Sequence, residues 1–135
     1  MELVVESYRL TRKLPRAEVY GLTAQLRRSA VSVPANIAEG NGRNQLGDYL
    51  RYLSIAHGSL MELETHIVLA TQLGFFSASD QEGLLGRTRE VGMMLRRLVA
   101  SLRSRLPGAV RSSRAMTTAT RCDPIPGARC PMPVI

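Results

Sequence analysis

At 135 residues, 44% of them hydrophobic, the chain is the size of one domain and can bury a core without disulfide or metal staples. No apolar run approaches the ~20 residues of a membrane span, and the start Met1-Glu2-Leu3-Val4-Val5-Glu6 puts acids where an export signal would be basic. The balance of 18 basic against 11 acidic residues, a net +7, suits a polyanionic partner such as RNA or DNA. All the basic residues but Lys13 are Arg, a bias that a GC-rich genome also produces. The two cysteines, Cys122 and Cys130, lie near the C-terminus, where a disulfide would staple nothing, and a cytoplasmic protein is expected.

Taken in chain order, turn signals separate four helical segments, and the expected fold is an all-α, antiparallel, up-down-up-down four-helix bundle over residues 1–106. The first helix spans about Glu2 to Lys13, with Leu3, Ser7, Leu10 and Leu14 on one face, and Leu14-Pro15 ends it. The second spans about Arg16 to Glu39, with Leu22, Leu26, Ala30, Val33 and Ile37 as its core face and Gly40-Asn41-Gly42 as its stop. Pro34 falls inside this pattern, lacks an N–H and crowds the Ala30 carbonyl. A kink is expected, since the apolar register continues, rather than two helices meeting at Ser32-Val33-Pro34.

The third helix, about Gln45 to Leu73, has the cleanest pattern. Leu46, Leu53, Leu60 and Ile67 recur at heptad spacing, and Tyr49, Ala56, Leu63 and Ala70 follow three residues behind them, as in the seam of a bundle. Gly74 closes it, and Ser77 or Ser79 caps the next helix ahead of Asp80 and Glu82. The fourth helix, about Asp80 to Leu106, buries Leu84, Thr88, Val91, Leu95, Leu98 and Leu102 and stops at Pro107-Gly108. From 107 to 135 the Ser, Thr, Pro and Arg content shows no period, so a disordered tail is expected there, and Cys122 and Cys130 without a nearby His make a poor metal site.

The faces turned away from the core carry a second signal. Ala24, Val31, Ala35 and Ala38 line up opposite Leu26 on the second helix, where a surface helix is normally polar. The third helix offers Ser54, Gly58, Met61, Thr65 and Val68 on its outer side, with Glu62 and Glu64 its only carboxylates between Tyr52 and Gln72. Helices that are apolar or small on two sides are buried on two sides, so Ala24, Val31, Ala35, Ala38, Met61 and Val68 are candidate homo-oligomer contacts. The competing reading is a protein–protein adaptor that offers the same faces to a nucleic-acid-processing enzyme such as a reverse transcriptase.

Catalytic patterns are missing from the sequence. His57 and His66 lack the Glu three residues before them that a di-iron bundle needs, since those positions are Ser54 and Leu63. Glu62 and His66, four apart, fit a structural hydrogen-bonded pair better than a ligand set. Gly40-Asn41-Gly42 follows a helix and lacks the Lys-Ser/Thr ending of a phosphate loop, and no serine has a placeable base beside it. No catalytic residue, metal or cofactor is expected. On the fourth helix Arg89, Arg96 and Arg103 recur at heptad spacing with Arg97 beside them, a ridge able to track a phosphate backbone; Arg43 and Arg51 are further candidate contacts. With 4% aromatics and no Trp, sequence-specific single-strand readout by base stacking is not expected.

The block Arg27-Arg28-Ser29-Ala30-Val31-Ser32-Val33-Pro34-Ala35-Asn36-Ile37-Ala38-Glu39-Gly40 is distinctive, as is the run Tyr52-Leu53-Ser54-Ile55-Ala56-His57-Gly58-Ser59-Leu60-Met61-Glu62. Together they resemble the bacterial four-helix-bundle family of proteins encoded in intervening sequences of 23S ribosomal RNA genes. The accessory variability determinant of diversity-generating retroelements belongs to the same superfamily. The resemblance spans Met1 to about Leu106 and implies a ring-like homopentamer, basic surfaces that contact nucleic acid, ribosomal RNA among the candidates, and no enzymatic activity. Positions matching the family pattern are Arg27, Arg28, Ser32, Pro34, Asn36, Glu39, Gly40, Arg43, Gly58, Ser59 and Glu62. Arg27 or Arg28 is expected to pair with Glu62 or Glu39 and so fix packing and assembly. Two departures are a first helix shorter than is usual in the family, which fits a late start at Met1, and a tail after Pro107 that matches nothing in the family.

Overall fold

The structure, a computed structural model, describes residues 1–105; the expected tail, with Cys122 and Cys130, lies outside the described residues. Helix α1 (Glu2–Leu10) runs into a 3-10 turn at Thr11–Lys13, a second 3-10 turn occupies Arg16–Glu18, and α2 (Leu22–Asn41), α3 (Leu46–Gln72) and α4 (Ala78–Arg103) follow. The fold is all-α, as the periodicity predicts. Each helix packs on its neighbours in sequence, and α1 closes the square against α4. Cross-helix pairs fix the antiparallel directions. Ser32 on α2 meets Ser59 on α3, while Gly40 near the end of α2 meets Tyr49 and Tyr52 near the start of α3. Likewise Glu2 at the start of α1 reaches Arg87 on α4, and Lys13, just beyond α1, reaches Asp80 at the start of α4.

The heptad seam of α3 is the spine of the core. Leu53, Ala56, Leu60, Leu63, Ile67 and Ala70 are all fully buried, with Leu46 and Tyr49 half-buried at the open end. Leu26, Ala30 and Val33 of α2, Leu84 and Leu95 of α4, and Leu3 and Leu10 of α1 pack against it. A large aliphatic side chain buried this way contributes ~1.5–3 kcal/mol. Val91 and Leu98, expected in the core, are only half-buried and sit at its edge.

The largest departure is the start of the second helix, which begins at Leu22 and not near Arg16. Glu18 accounts for the break: its carboxylate accepts from the Leu22 backbone N–H at 3.1 Å, so the chain turns at Val19-Tyr20-Gly21 and restarts with its first-turn donor satisfied. Pro34 does not end α2, which continues unbroken to Asn41. The two-helix alternative is thereby excluded, and the helix stops within the expected Gly40-Asn41-Gly42 signal, two residues past Glu39. At the end of α3, Gly74 adopts φ +78°, a conformation that costs other residues energy, and lets Phe75 and Phe76 donate back to the Ala70 carbonyl. Of the two serines the sequence offers as caps, Ser77 is the one used, and it forms a reciprocal pair with Asp80 that the sequence reading does not anticipate. No helix among the described residues is long and apolar enough to cross a membrane.

Candidate nucleic-acid interface and assembly faces

Because α3 and α4 run antiparallel, the groove between them has two chemically different ends. At one end Leu50, Leu53, Leu95 and Val99 form an apolar floor, and Ser54, His57, Arg96, Ala100 and Arg103 make the walls of a groove of about 310 Å³. At the other end Met61, Val68, Leu69 and Leu85 present an apolar strip bordered by Glu64, Thr65, Gln72 and Arg89. The heptad ridge of α4 therefore splits. Arg89 lies beside the apolar end and is engaged by Glu82 at 3.3 Å, whereas Arg96 and Arg103 share the basic end with His57.

Among the described residues, Arg96, Arg97 and Arg103 enter none of the ion pairs, which use Arg9, Lys13, Arg43, Arg87 and Arg89. Arg96 is also held close to its own helix. A Cβ on the buried Gly92 would lie 3.4 Å from Arg96 Nη1 and 3.5 Å from Leu60 Cδ2, so the guanidinium folds back over a glycine that leaves room for it. Arg51 is exposed and outside these pairs, but Arg43 is occupied. It donates to Glu39 Oε1 at 2.6 Å and lies over the Tyr52 ring, 5.2 Å from its centroid. The Tyr52 hydroxyl donates to the same carboxylate oxygen at 2.8 Å. Hydrogen bonds from Tyr52 and Arg43 hold the Glu39 carboxyl below its usual range.

The pairing expected for Arg27 and Arg28 is corrected. Arg27 Nε donates to Thr11 Oγ1 at 3.0 Å and its guanidinium lies over the Tyr8 ring, 5.0 Å from the centroid, so it ties α2 to α1. Neither Glu62 nor Glu39 is among its partners. Arg28 is exposed and makes no side-chain hydrogen bond among the described residues. The Glu62–His66 pair is not made either: Glu62 is exposed, and His66 Nδ1 is buried without a partner. Glu64 is the carboxylate that is used, accepting from the buried Thr88 hydroxyl at 2.6 Å across α3 and α4. Sequence spacing could not find this bond, because it joins residues on two different helices, 24 positions apart in the chain.

The candidate assembly residues are exposed, and they fall on two sides of the bundle. Val31 is 41% exposed and lines a shallow groove between α1 and α2 with Val4, Val5, Tyr8, Arg9 and Arg12. Met61 at 39% and Val68 at 36% line the apolar end of the α3–α4 groove, on the opposite side of the square. Ala24, Ala35 and Ala38 lie along α2 outside its buried face, and Gly58 has open space where a Cβ would stand. Among the described residues no group of three or more His, Cys, Asp or Glu side chains is placed to hold a metal ion.

Residues 1–97 match the family described as 23S rRNA-intervening sequence protein. The chain belongs to that family. A solved structure from Bacteroides thetaiotaomicron, described as a protein with unknown function from the S23 ribosomal protein family, shares its fold. It superposes with a TM-score of 0.67 at 22% identity, over 73% of this chain and 92% of the other. No curated protein matches the chain.

In this member of the intervening-sequence family, the Ser-x-Pro-Ala-Asn block is a junction between helices. Ser32 Oγ lies 2.8 Å from Ser59 Oγ on α3. Asn36 Nδ2 donates to the Ser32 carbonyl at 2.8 Å and to Ser32 Oγ at 3.0 Å. Ser59 in turn lies 3.1 Å from the Ile55 carbonyl. The block therefore ties the proline-containing stretch of α2 to the middle of α3, and four residues beyond Asn36 the close approach at Gly40 does the same at the helix end.

Proposed function

We propose that the chain is a non-catalytic scaffold that assembles with copies of itself, five to a ring in the reading the resemblance implies, and binds structured nucleic acid. Ribosomal RNA is the first candidate. The observation that carries the reading is the basic end of the α3–α4 groove, where Arg96 and Arg103 stand without carboxylate partners among the described residues, on a chain of net charge +7. Unpaired guanidiniums on a basic surface gain from phosphate contact through release of condensed counterions, and such binding weakens steeply with salt.

Self-assembly is supported by the placement of the apolar patches on opposite sides of the bundle. Two different patches that fit one another make a head-to-tail contact, and repeated rotation closes it into a ring. Light scattering on the purified chain tests this half: a closed oligomer that Val31→Glu and Val68→Glu each reduce to monomer agrees with it. A stable monomer of the unaltered chain refutes it and turns the apolar faces toward an adaptor role.

Affinity for a structured RNA across a salt series tests the other half. Arg96→Glu with Arg103→Glu should weaken binding on every sequence alike and flatten the salt slope by about one unit for each phosphate no longer neutralised. Absence of binding at low salt would refute the nucleic-acid reading.

A further inference from the structure

The basic end of the α3–α4 groove has more than charge. Its floor of Leu50, Leu53, Leu95 and Val99 is apolar, and its walls carry the imidazole of His57 and the guanidiniums of Arg96 and Arg103. A plain phosphate-tracking ridge needs no apolar trough between its cations. A trough of about 310 Å³ is at the small end of the range for small-molecule sites, roughly 300–1,000 Å³. Arg96 and Arg103 are seven positions apart on α4, which separates their Cα atoms by about 10 Å along the axis. That is room for one planar, apolar-faced group with an anion beside it. The Arg96 guanidinium, laid back over Gly92, and the His57 ring are the kinds of surface on which unpaired bases stack.

We propose that this groove takes a nucleoside phosphate, with its phosphate between Arg96 and Arg103 and its base on the apolar floor beside His57. A fatty carboxylate fits less well, because the groove is open along its outer side and offers two separated cations, where such a ligand has one anion. The nucleotide is either free or an unpaired residue of a bound RNA, and the second source rests on the nucleic-acid reading above. One trough per chain seats a single nucleotide, so it selects for an unpaired residue and not for a sequence.

The test uses the full chain and two sets of probes. In the first, AMP, adenosine and inorganic phosphate are titrated while the His57 ring signals are followed by NMR. In the second, affinities are compared for two RNA hairpins of equal length, one fully paired and one carrying a single-nucleotide bulge. AMP should shift His57 at lower concentration than either adenosine or phosphate, or the bulged hairpin should bind about tenfold tighter than the paired one, an advantage of about 1.4 kcal/mol. Ala100→Trp, which fills the trough from α4 without changing charge, should abolish the AMP shift and bring the ratio of the two hairpins to one. Ser54→Phe fills it from α3 and should do the same, so a fold lost in one variant leaves the other to decide, with circular dichroism as the check.

A shift with AMP but no preference for the bulge assigns the groove to a free nucleotide. A preference without an AMP shift assigns it to RNA. The proposal is overturned if AMP leaves His57 unmoved and the hairpins bind alike, or if both filled variants fold and keep the preference. Failure of both hairpins to bind at low salt removes the nucleic-acid reading, and the AMP arm then decides the groove alone.

Discussion

Gly40→Ala should destabilise the chain, although it replaces a glycine inside a helix. Alanine in an ordinary helical position gains about 0.8–1.0 kcal/mol over glycine. At Gly40 the added Cβ would stand 2.7 Å from Tyr52 Cβ and 2.9 Å from Tyr49 Cδ2. The first of these atoms is fixed to the α3 backbone and cannot swing away, so α2 must move off α3 along their shared interface. Overpacking of this kind costs about 1–3 kcal/mol, and a rigid neighbour places Gly40 in the upper half of that range. The net expectation is a loss of about 1–2 kcal/mol. Urea denaturation at fixed protein concentration, followed by circular dichroism, should show a lower midpoint with an unchanged slope, a shift of about 0.5–1 M. Gly83→Ala, with nothing within 4 Å of its Cβ, is the control and should gain up to about 1 kcal/mol. A Gly40→Ala chain as stable as the unaltered one would show that α2 and α3 are not held this close.

Gly58 is the opposite case, with open space for a Cβ in the single chain. Gly58→Ala should stabilise the helix by up to about 1 kcal/mol yet weaken self-association on dilution, measured by light scattering; unchanged association would remove the outer face of α3 from the interface. A Ser32→Ala, Ser59→Ala double-mutant cycle in urea should give a coupling of about 0.5–1.5 kcal/mol. Additive effects there would mean the 2.8 Å hydroxyl pair contributes nothing of its own. Asp80 supplies a pH prediction. Hydrogen bonds from Lys13 and then Ser77 pull its carboxyl from 3.8 down to about 2, so folding favours the ionised form. The stabilisation is complete above about pH 3.8 and fades as pH falls toward about 2. Asp80→Ala should therefore cost about 1 kcal/mol at neutral pH, from the cap and an exposed ion pair. The gap to the unaltered chain should close on acidification in thermal melts; a gap independent of pH would refute the assignment.

The helices are legible where burial repeats with the period of the backbone. The α3 seam from Leu53 to Ala70 is fully buried, as its heptads predict, and a serine cap ahead of Asp80 is readable from residue type, although only the structure chooses Ser77 over Ser79. The start of α2 is not, because Arg16 to Gly21 carries nothing that forbids a helix, and the break depends on where the Glu18 carboxylate reaches. The site is legible only as a set of cations. Spacing places Arg89, Arg96 and Arg103 on one stripe, but it is Glu82, also on α4, that separates Arg89 from the other two. The apolar floor under Arg96 and Arg103 comes from both α3 and α4, so no single-helix pattern could disclose it. The partners of Arg27 escape a sequence reading for the same reason, since Thr11 and Tyr8 on a different element take it.

The two ends of the α3–α4 groove are fixed to one rigid pair of helices, and this gives the proposed ring a property no single chain has. If copies join through the apolar end at Met61, Val68 and Leu85, every basic end is carried to the same height and radius about the ring axis. A contact too weak to hold RNA from one copy then recurs at regular intervals around the rim. Each engaged copy raises the effective concentration of the next, so avidity follows from ring geometry without a further contact. The spacing of unpaired or exposed phosphates that an RNA presents, more than its sequence, would decide how many copies it engages at once.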